Sequence, residues 1–264
     1  MIDAATIARA DANYFDAFRA LAAAAADGEV IVGESPGRQH DGILIINTGS
    51  PLAMFNIAFV THPLDDPAAA IAAAVAYFDE RALPFVVRIR AGVDAAAERA
   101  AEALGLPYRD TVPGLVLNPI PAIPPPPPAL DIRTALDAAT LDDHLGILAE
   151  AFGMPKEIAG RLITPRTLDI AGAEFYVGYI DGAPVASSAL IATDAVAGVW
   201  NVGCLPSHRR RGLGEAMTWH AVCRGVETGC DIANLQASEM GQPIYERMGF
   251  RPIAAYRTFV RAGF

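Results

Sequence analysis

The sequence predicts a mixed α/β protein of two domains, and three observations support that prediction. A glycine-rich basic turn lies between an apolar segment, residues 199–205, and a helix-compatible segment, residues 215–226. A proline-rich stretch interrupts the chain near its middle. A pattern of aromatic, asparagine and glycine residues recurs on either side of that stretch. We therefore predict domains at 1–118 and 131–264, joined by a linker at 119–130.

Composition limits the class of protein. The 264 residues are 53% hydrophobic, which is typical of a folded chain rather than a disordered one. No apolar stretch reaches about 18 strongly apolar residues, so we expect no transmembrane helix. The chain opens with Met1, Ile2 and Asp3 and lacks the basic start of a signal peptide. A net charge of −10 argues against broad nucleic-acid binding.

The cysteines and histidines predict a reduced protein without a metal. Three cysteines cannot all pair, and none stands in a Cys-x-x-Cys arrangement, so a cytoplasmic location is expected. The five histidines lack the spacing of metal ligands, and no metal is expected. These residues are Cys204, Cys223, Cys230, His40, His62, His144, His208 and His220.

The proline-rich stretch is predicted to be a stiff linker. Proline lacks the backbone N–H that a helix interior or a central strand needs, so residues 119–128 should form a polyproline II segment. A ligand for the proline-recognition domain of a partner is the alternative.

The basic turn predicts an anion site. Arg209, Gly212 and Gly214 are spaced Arg-x-x-Gly-x-Gly, directly after a predicted strand and before a predicted helix. Backbone N–H groups at a helix N-terminus favour a phosphate, and the glycines allow the main chain to come close to it. The alternative interpretation is a solvated basic turn that only begins a helix.

The turn and three further features together resemble the GNAT superfamily of N-acyltransferases. Residues 236–250 resemble the second cofactor segment of that family, a short helix that carries Tyr245 and ends at Gly249. A predicted hairpin with an Asp-Gly turn spans residues 176–186, and helical patterns at 136–152 and 155–162 precede it. The resemblance covers about half of the chain, residues 131–264.

The resemblance implies acetyl-CoA as the co-substrate and assigns a role to most of the site. Tyr245 takes the position of the family's general acid, which protonates the departing thiolate. Ser238 stands where many members carry an asparagine that contacts the pantetheine arm. The remaining cofactor-binding positions implied are the backbone of Val202, Gly203, Cys204 and Leu205 for the pantetheine arm, and Arg210, Arg211, Gly212, Leu213, Gly214 and Glu215 for the pyrophosphate.

The acceptor site and the general base are less well defined. By resemblance, Phe152, Met154 and Trp200 could form an apolar floor for the acceptor, or they could be ordinary core residues. We interpret Cys204 as a small apolar strand residue rather than a nucleophile. The candidates for the general base are Glu239, Glu174, Asp194 and His208, and a chain of ordered water is a further alternative.

The first half of the chain resembles a degenerate copy of the second. Asn56 and Asn201 lie 145 positions apart, and Gly105 and Gly249 lie 144 apart, each in the same order of predicted elements. The first copy has Asp65, Asp66 and Pro67 in place of the basic turn, and Asp66 and Pro67 there suit the N-cap and the first position of a helix. Two carboxylates would repel a pyrophosphate, so we expect a GNAT-like fold without a cofactor site in residues 1–118.

The resemblance therefore implies an acetyl-CoA-dependent N-acetyltransferase that acts on a primary amine of a small molecule. A non-catalytic acyl-CoA-binding module, such as a sensor or partner subunit, is the alternative. No nucleic-acid or membrane partner is expected, and the chain is expected to be a monomer or a homodimer.

Overall fold

The structure, a computed structural model, describes residues 2–32, 42–92 and 94–261. Among the predicted residues, His40 lies outside these ranges. Packing divides the chain into two compact units. Unit 1 consists of Met1–Ala24 and Gly114–Ile253, and unit 2 of Ala25–Pro113 and Ala254–Phe264. Within the described ranges, no helix has the length and apolar character needed to cross a membrane.

The helices and strands largely follow the sequence prediction. Short 3-10 helices lie at Ala53–Phe55, Pro165–Asp169 and Pro206–His208. In chain order the other elements are α1 (Ala4–Ala24), β1 (Glu29–Val32), β2 (Ile43–Asn47), β3 (Ile57–Val60), α2 (Pro67–Asp79), β4 (Val86–Arg90), α3 (Ala95–Ala103), β5 (Tyr108–Leu117), β6 (Asp131–Thr134), α4 (Ala138–Phe152), α5 (Lys156–Leu162), β7 (Ala173–Ile180), β8 (Ala183–Thr193), β9 (Val196–Cys204), α6 (Leu213–Glu227), β10 (Ile232–Gln236), α7 (Gln242–Arg247) and β11 (Arg251–Val260).

The sheet of unit 1 has the strand order β5-β10-β9-β8-β7-β6. Its neighbours are antiparallel except β9 and β10, which are parallel. The predicted hairpin is β7–β8, and its turn residues Asp181 and Gly182 both have positive φ, +51° and +79°. That combination is typical of the tight turn an Asp-Gly pair favours.

Both faces of this sheet are buried. Leu190 of β8 packs in one apolar cluster with α6, whereas its neighbours Ala189 and Ile191 pack in another with α1 and α4. Successive strand residues point to opposite faces, so helices cover the sheet on both sides. This is the layered arrangement that the alternation of helices and strands predicts.

Helix α1 was not predicted, and it belongs to unit 1. Its buried residues recur at helical spacing, as in Ala10, Ala17 and Leu21. Buried amides also attach it to the sheet: the Asn13 side chain donates to the Ile191 carbonyl at 3.0 Å, and the Asn234 side chain donates to the Ala10 carbonyl at 2.7 Å. The chain start therefore packs with the second half of the sequence.

The sheet of unit 2 has the order β1-β2-β3-β4-β11. Only β3 and β4 are parallel. Its apolar cluster includes Phe78 and Phe85, whose rings stack at 4.6 Å. Asp66 caps α2 by accepting from the Ala69 N–H at 3.0 Å, and Pro67 is the first helical residue. That sequence expectation for the helix start is confirmed.

The two units show the same succession of strand pairings. In unit 2, β1-β2-β3-β4-β11 pair antiparallel, antiparallel, parallel and antiparallel, and in unit 1, β7-β8-β9-β10-β5 pair in the same way. The closing strand of each unit comes from the other half of the sequence. This shared order is what the sequence repeat predicts; the duplication itself stays a prediction.

The predicted division at 1–118 and 131–264 does not coincide with these units. Helix α1 and the end of β5 belong to unit 1, and the end of β11 belongs to unit 2, because each pairs or packs with elements far away in sequence. The predicted linker also lies inside unit 1. Ile120 and Ile123 alternate with its prolines and pack against the apolar cluster of that unit.

Candidate active site

The parallel strands β9 and β10 separate after three residues. Their last pair is Gly198 with Asn234, although β9 continues to Cys204. Asn201 has a positive φ of +55°, and the register with β8 shifts between Ser187 and Ala189. Such a bulge bends its strand. From residue 199 to Cys204, the backbone of β9 on the side of β10 therefore has no strand partner.

Helix α6 begins beside this open edge. Its N-cap is Gly212 at φ +77°, and Arg210 is also left-handed at φ +61°. A Cβ on Gly212 would meet nothing within 4 Å, so the glycine serves the backbone conformation. No side chain caps this helix, and the N–H groups of its first turn have no partner within the helix. The turn is built to receive an anion.

A cleft of about 1000 Å³ contains both features. The wall of the cleft includes residues of β9, of the turn, of α6, of the segment that leads to α7, and of the end of α4. The predicted residues that line it are Phe152, Val202, Gly203, Cys204, Arg210, Gly212, Leu213, Gly214, Glu215, Ser238 and Tyr245. The structure therefore brings together most of the residues that the sequence assigned to one cofactor.

Two predicted site residues have other contacts. The Trp200 ring stacks on Tyr14 at 5.8 Å and meets Phe18 edge-on at 5.2 Å, so it packs with α1 and not in the cleft. The Leu205 N–H donates to the Val185 carbonyl at 3.0 Å, and its side chain joins a small apolar cluster. We withdraw Trp200 from the acceptor floor and the Leu205 N–H from the pantetheine contacts.

Two further predicted residues do not line the cleft. Met154 follows the left-handed C-cap Gly153 at the end of α4, and it is half-buried outside the cleft wall. Arg211 is exposed on the turn and also lies outside that wall. Their assigned roles stay predictions that the cleft geometry does not support.

The Tyr245 side chain is held in a close-fitting site. Its ring meets Phe250 edge-on at 6.0 Å, and a Cβ on Gly241 would lie only 2.9 Å from its Cε2 atom. The residue is only 9% exposed, yet it borders the cleft. Burial raises the pKa of Tyr245 to about 12, and a hydrogen bond with Thr218 acts in the opposite direction. At neutral pH the hydroxyl therefore carries its proton.

Ser238 has a local structural contact as well as its place on the wall. Its hydroxyl accepts from the Gly241 N–H at 3.1 Å, which closes the turn that leads into α7. The Ser238 carbonyl also accepts from the Gln242 N–H at 2.9 Å. The side chain thus shapes the backbone on which Tyr245 is carried.

Of the base candidates, His208 is the one on the cleft wall, where its Nδ1 lies 3.0 Å from the Ser207 hydroxyl. Glu174 is bound by the Arg224 guanidinium, with contacts of 3.1 and 3.2 Å, and by the Tyr176 hydroxyl. Asp194 is exposed on the β8–β9 turn beside Arg9. Glu239 is exposed next to Ser238 and does not line the cleft.

Cys204 is suited to packing rather than to nucleophilic attack. Burial raises the pKa of its thiol, which keeps it protonated. All three cysteines are free. Among the described residues, no group of three or more histidine, cysteine or acidic side chains could hold a metal ion.

Several cleft residues were not predicted. Gly241 and Ile244 share one face of the α7 segment with the predicted Tyr245, and that spacing was a signal available in the sequence. Arg209, which belongs to the predicted basic turn, also lines the cleft and donates to the Ala151 carbonyl at 3.0 Å, which ties the turn to the end of α4. The other unpredicted wall residues are Ala151, Met240, Pro243 and Arg247.

Comparison with solved structures shows the same fold. The chain is similar to a GCN5-related N-acetyltransferase from Kribbella flavida, with 20% identity, a TM-score of 0.74, and coverage of 97% of this chain and 96% of that chain. It is also similar to a GCN5-related N-acetyltransferase-like protein from Streptococcus suis, with 13% identity, a TM-score of 0.59, and coverage of 98% and 99%. A GCN5-related N-acetyltransferase from Sphaerobacter thermophilus aligns with 18% identity, a TM-score of 0.58, and coverage of 74% and 68%.

Comparison by sequence identifies one domain of the chain. No functionally curated protein matches the chain. Residues 171–252 match the family model for the acetyltransferase (GNAT) domain. This range begins just before β7 and ends in β11, so it contains the open edge of β9, the basic turn and Tyr245. Residues 171–252 therefore form a GNAT acetyltransferase domain, and the chain is an acyltransferase of the N-acetyltransferase type.

Proposed function

We propose that this acetyltransferase takes its acetyl group from acetyl-CoA and transfers it to a primary amine of a small molecule. One observation carries the proposal: a single cleft is lined by the uncapped start of α6, by the unpaired edge of β9 and by Tyr245. These features suit the pyrophosphate, the amide-containing arm and the thioester sulfur of acetyl-CoA, respectively.

The start of α6 supports the pyrophosphate assignment through charge as well as shape. Arg209, Arg210 and Arg247 line the cleft. Among the described residues, the acidic residue on the cleft wall is Glu215. The chain as a whole is acidic, with a net charge of −10. A positive cleft on a negative protein attracts an anionic ligand to that place and keeps anions away from the rest.

The edge of β9 supports the assignment of the pantetheine arm. Val202, Gly203 and Cys204 lie where β10 no longer pairs with β9. An extended chain with amide groups can fill that position as an additional strand would. A Cβ on Gly214 would lie 3.8 Å from Val202 Cγ1, so glycine at this position keeps the space between β9 and α6 open.

The proposed reaction is a direct transfer. The neutral amine attacks the thioester carbonyl carbon, the N–C bond forms, and the C–S bond breaks with its electron pair on sulfur. Tyr245 donates its hydroxyl proton to that sulfur, and the new amide nitrogen releases one proton to water or to a base on the wall. Tyr245 then regains a proton from solvent.

The partners and location are part of the same proposal. We propose a small-molecule amine as acceptor, with no nucleic-acid or membrane partner, and a chain that acts as a monomer or homodimer. Three free thiols support a reducing, cytoplasmic setting. We propose that unit 2 has no binding site for acetyl-CoA.

The test is a screen of small primary amines for thiol release from acetyl-CoA, together with calorimetric titration of acetyl-CoA. Turnover with one class of amine, and its loss in the Tyr245→Phe variant, would support the proposal. Acetyl-CoA binding without turnover on any amine would favour the non-catalytic module instead. A protein that does not bind acetyl-CoA would contradict both.

A further inference from the structure

A buried serine hydroxyl lies at the point where β9 bends. Ser187 of β8 is 0% exposed, and its hydroxyl donates to the Asn201 carbonyl of β9 at 3.0 Å. Ser187 pairs with Gly203 on one side of this contact. Ala189 pairs with Trp200 on the other side. Between those pairs β8 has one residue and β9 has two, so the hydrogen bond lies inside the bulge of β9.

The bulge decides which side chains of β9 face the cleft. In a regular strand, residues three apart point to opposite faces. Trp200 and Gly203 nevertheless share one face: Trp200 packs with the cluster of α1 and α4, and a Cβ on Gly203 would lie 3.2 Å from Ala151 Cβ on α4. Val202 is thereby turned to the other face, beside Gly214 of α6. Without the bulge, Val202 would point to α4 and away from the cleft.

The bulge also decides which backbone groups face the open edge. The N–H and C=O groups of successive strand residues alternate between the two edges, so a slip of one residue would turn a different set towards the cleft. Asn201 adopts a left-handed φ of +55°, which is unfavourable for a residue with a side chain. Such a conformation persists only where its surroundings hold it. The Ser187 hydroxyl is a contact of this kind.

We infer that Ser187 is a positioning residue for acetyl-CoA binding: its hydroxyl holds the bulge at Asn201 and so keeps the open edge of β9 in register with the amide-containing arm. The inference rests on the proposed function. Ser187 is fully buried and does not line the cleft, so it acts through β9 and not by touching the donor. The fit is close, because a Cβ on Gly203 would lie 3.0 Å from Ser187 Oγ.

The next residue of β8 offers a matched control. Ser188 is also 0% exposed, and its hydroxyl donates to the Met217 carbonyl of α6 at 2.9 Å. Successive strand residues point to opposite faces, so this hydrogen bond joins β8 to α6 and not to the bulge. Both serines are buried on one strand and donate to a backbone carbonyl. A change to alanine therefore removes the same group at each site.

The test compares Ser187→Ala with Ser188→Ala in the full chain, by calorimetric titration with acetyl-CoA and by amide hydrogen exchange. Ser187→Ala should raise the Kd for acetyl-CoA by about fivefold, the equivalent of one hydrogen bond, and speed exchange of the amides at residues 199–204. Ser188→Ala should leave both quantities within about twofold of the wild type. With an amine from the screen, Ser187→Ala should raise KM for acetyl-CoA and leave kcat nearly unchanged, because Tyr245 is carried by α7.

Three results would overturn the inference. An equal loss of affinity in the two variants would indicate a general loss of packing. Unchanged affinity and exchange in Ser187→Ala would show that the bulge holds without the hydroxyl. A fall in kcat with an unchanged Kd would place the effect at the reacting atoms and not at the open edge.

Two further measurements keep the inference separate from the proposed function and from folding. A wild type that does not bind acetyl-CoA would be a failure of the proposed function itself. If Ser187→Ala does not fold, Ser187→Cys is compared with Ser188→Cys, because a thiol fills the space of the hydroxyl but is a weak donor. The same difference in Kd between the two sites is then expected, and its absence would contradict the role of Ser187.

Discussion

Gly198 and Asn234 form the last pair between β9 and β10, and the cleft begins where that pairing stops. In unit 2 the equivalent parallel strands stay paired from Ile57 with Val86 to Val60 with Ile89. Unit 2 therefore lacks the strand opening. It also lacks the basic turn, in whose place it has Asp65, Asp66 and Pro67. The difference explains why one half of the chain has a cofactor-sized cleft lined by an unpaired strand edge.

The pyrophosphate turn can be tested by adding a side chain and a negative charge. We expect Gly212→Asp to weaken acetyl-CoA binding by well over tenfold, or more than about 1.4 kcal/mol, in calorimetry. Gly182→Asp is the matched control: its φ is +79° against +77° at Gly212, and a Cβ meets nothing within 4 Å at either site. Both variants bear the same backbone strain, so equal affinity in the two would contradict the turn's assignment.

The number of acetyl-CoA sites per chain is predicted from the strands β3 and β4 of unit 2, which stay paired. Titration of the wild type should give one acetyl-CoA per chain. Changing both Asp65 and Asp66 to Arg should not add a second site, because β3 and β4 remain paired and no glycine frees the turn. Asp66→Arg alone should cost about 1 kcal/mol of stability, because Asp66 caps α2, whereas Asp65→Arg should cost little. A stoichiometry of two would show that unit 2 binds the donor.

The role of Tyr245 is tested by removing only its hydroxyl. Tyr245→Phe keeps the ring between Gly241 and Phe250, so the fold and the affinity for acetyl-CoA should be nearly unchanged. If the hydroxyl protonates the thiolate, kcat should fall by roughly 10²- to 10⁴-fold. Steady-state kinetics with an acceptor from the screen measures this. Equal turnover of the two proteins would mean that the thiolate leaves without help from this residue.

The stability of the protein should fall in acid because of His144. This residue of α4 is fully buried, and burial lowers its pKa from 6.5 to about 4. The folded state holds the imidazole neutral, whereas the unfolded state binds a proton below pH 6.5. The loss of stability should therefore begin as pH falls below about 6.5 and be complete below about 4, with a size on the order of 3 kcal/mol.

Urea unfolding at several pH values checks this expectation. His144→Asn keeps a donor near the Tyr176 carbonyl, which lies 3.0 Å from His144 Nδ1, but it cannot titrate in this range. The variant should lose most of the pH dependence between 6.5 and 4. His62→Asn, on an exposed segment, should keep the dependence of the wild type. An unchanged slope in His144→Asn would exclude this histidine as the cause.

The sequence by itself determined the local parts of this protein. The Asp181–Gly182 turn, the capped start of α2 and the glycine-rich turn that begins α6 are set by a few adjacent residues, and all were predicted. The segment around Tyr245 was found in the same way. Backbone preferences and capping act over one turn of chain, so a contiguous motif contains enough information to specify them.

Only the tertiary structure decided which distant residues meet. It placed Trp200 against Tyr14 of an unpredicted helix, removed the Leu205 N–H from the cleft, and gave each unit a closing strand from the other half of the sequence. Such contacts depend on how apolar faces and strand edges far apart in the chain are buried together, and no local pattern records that choice.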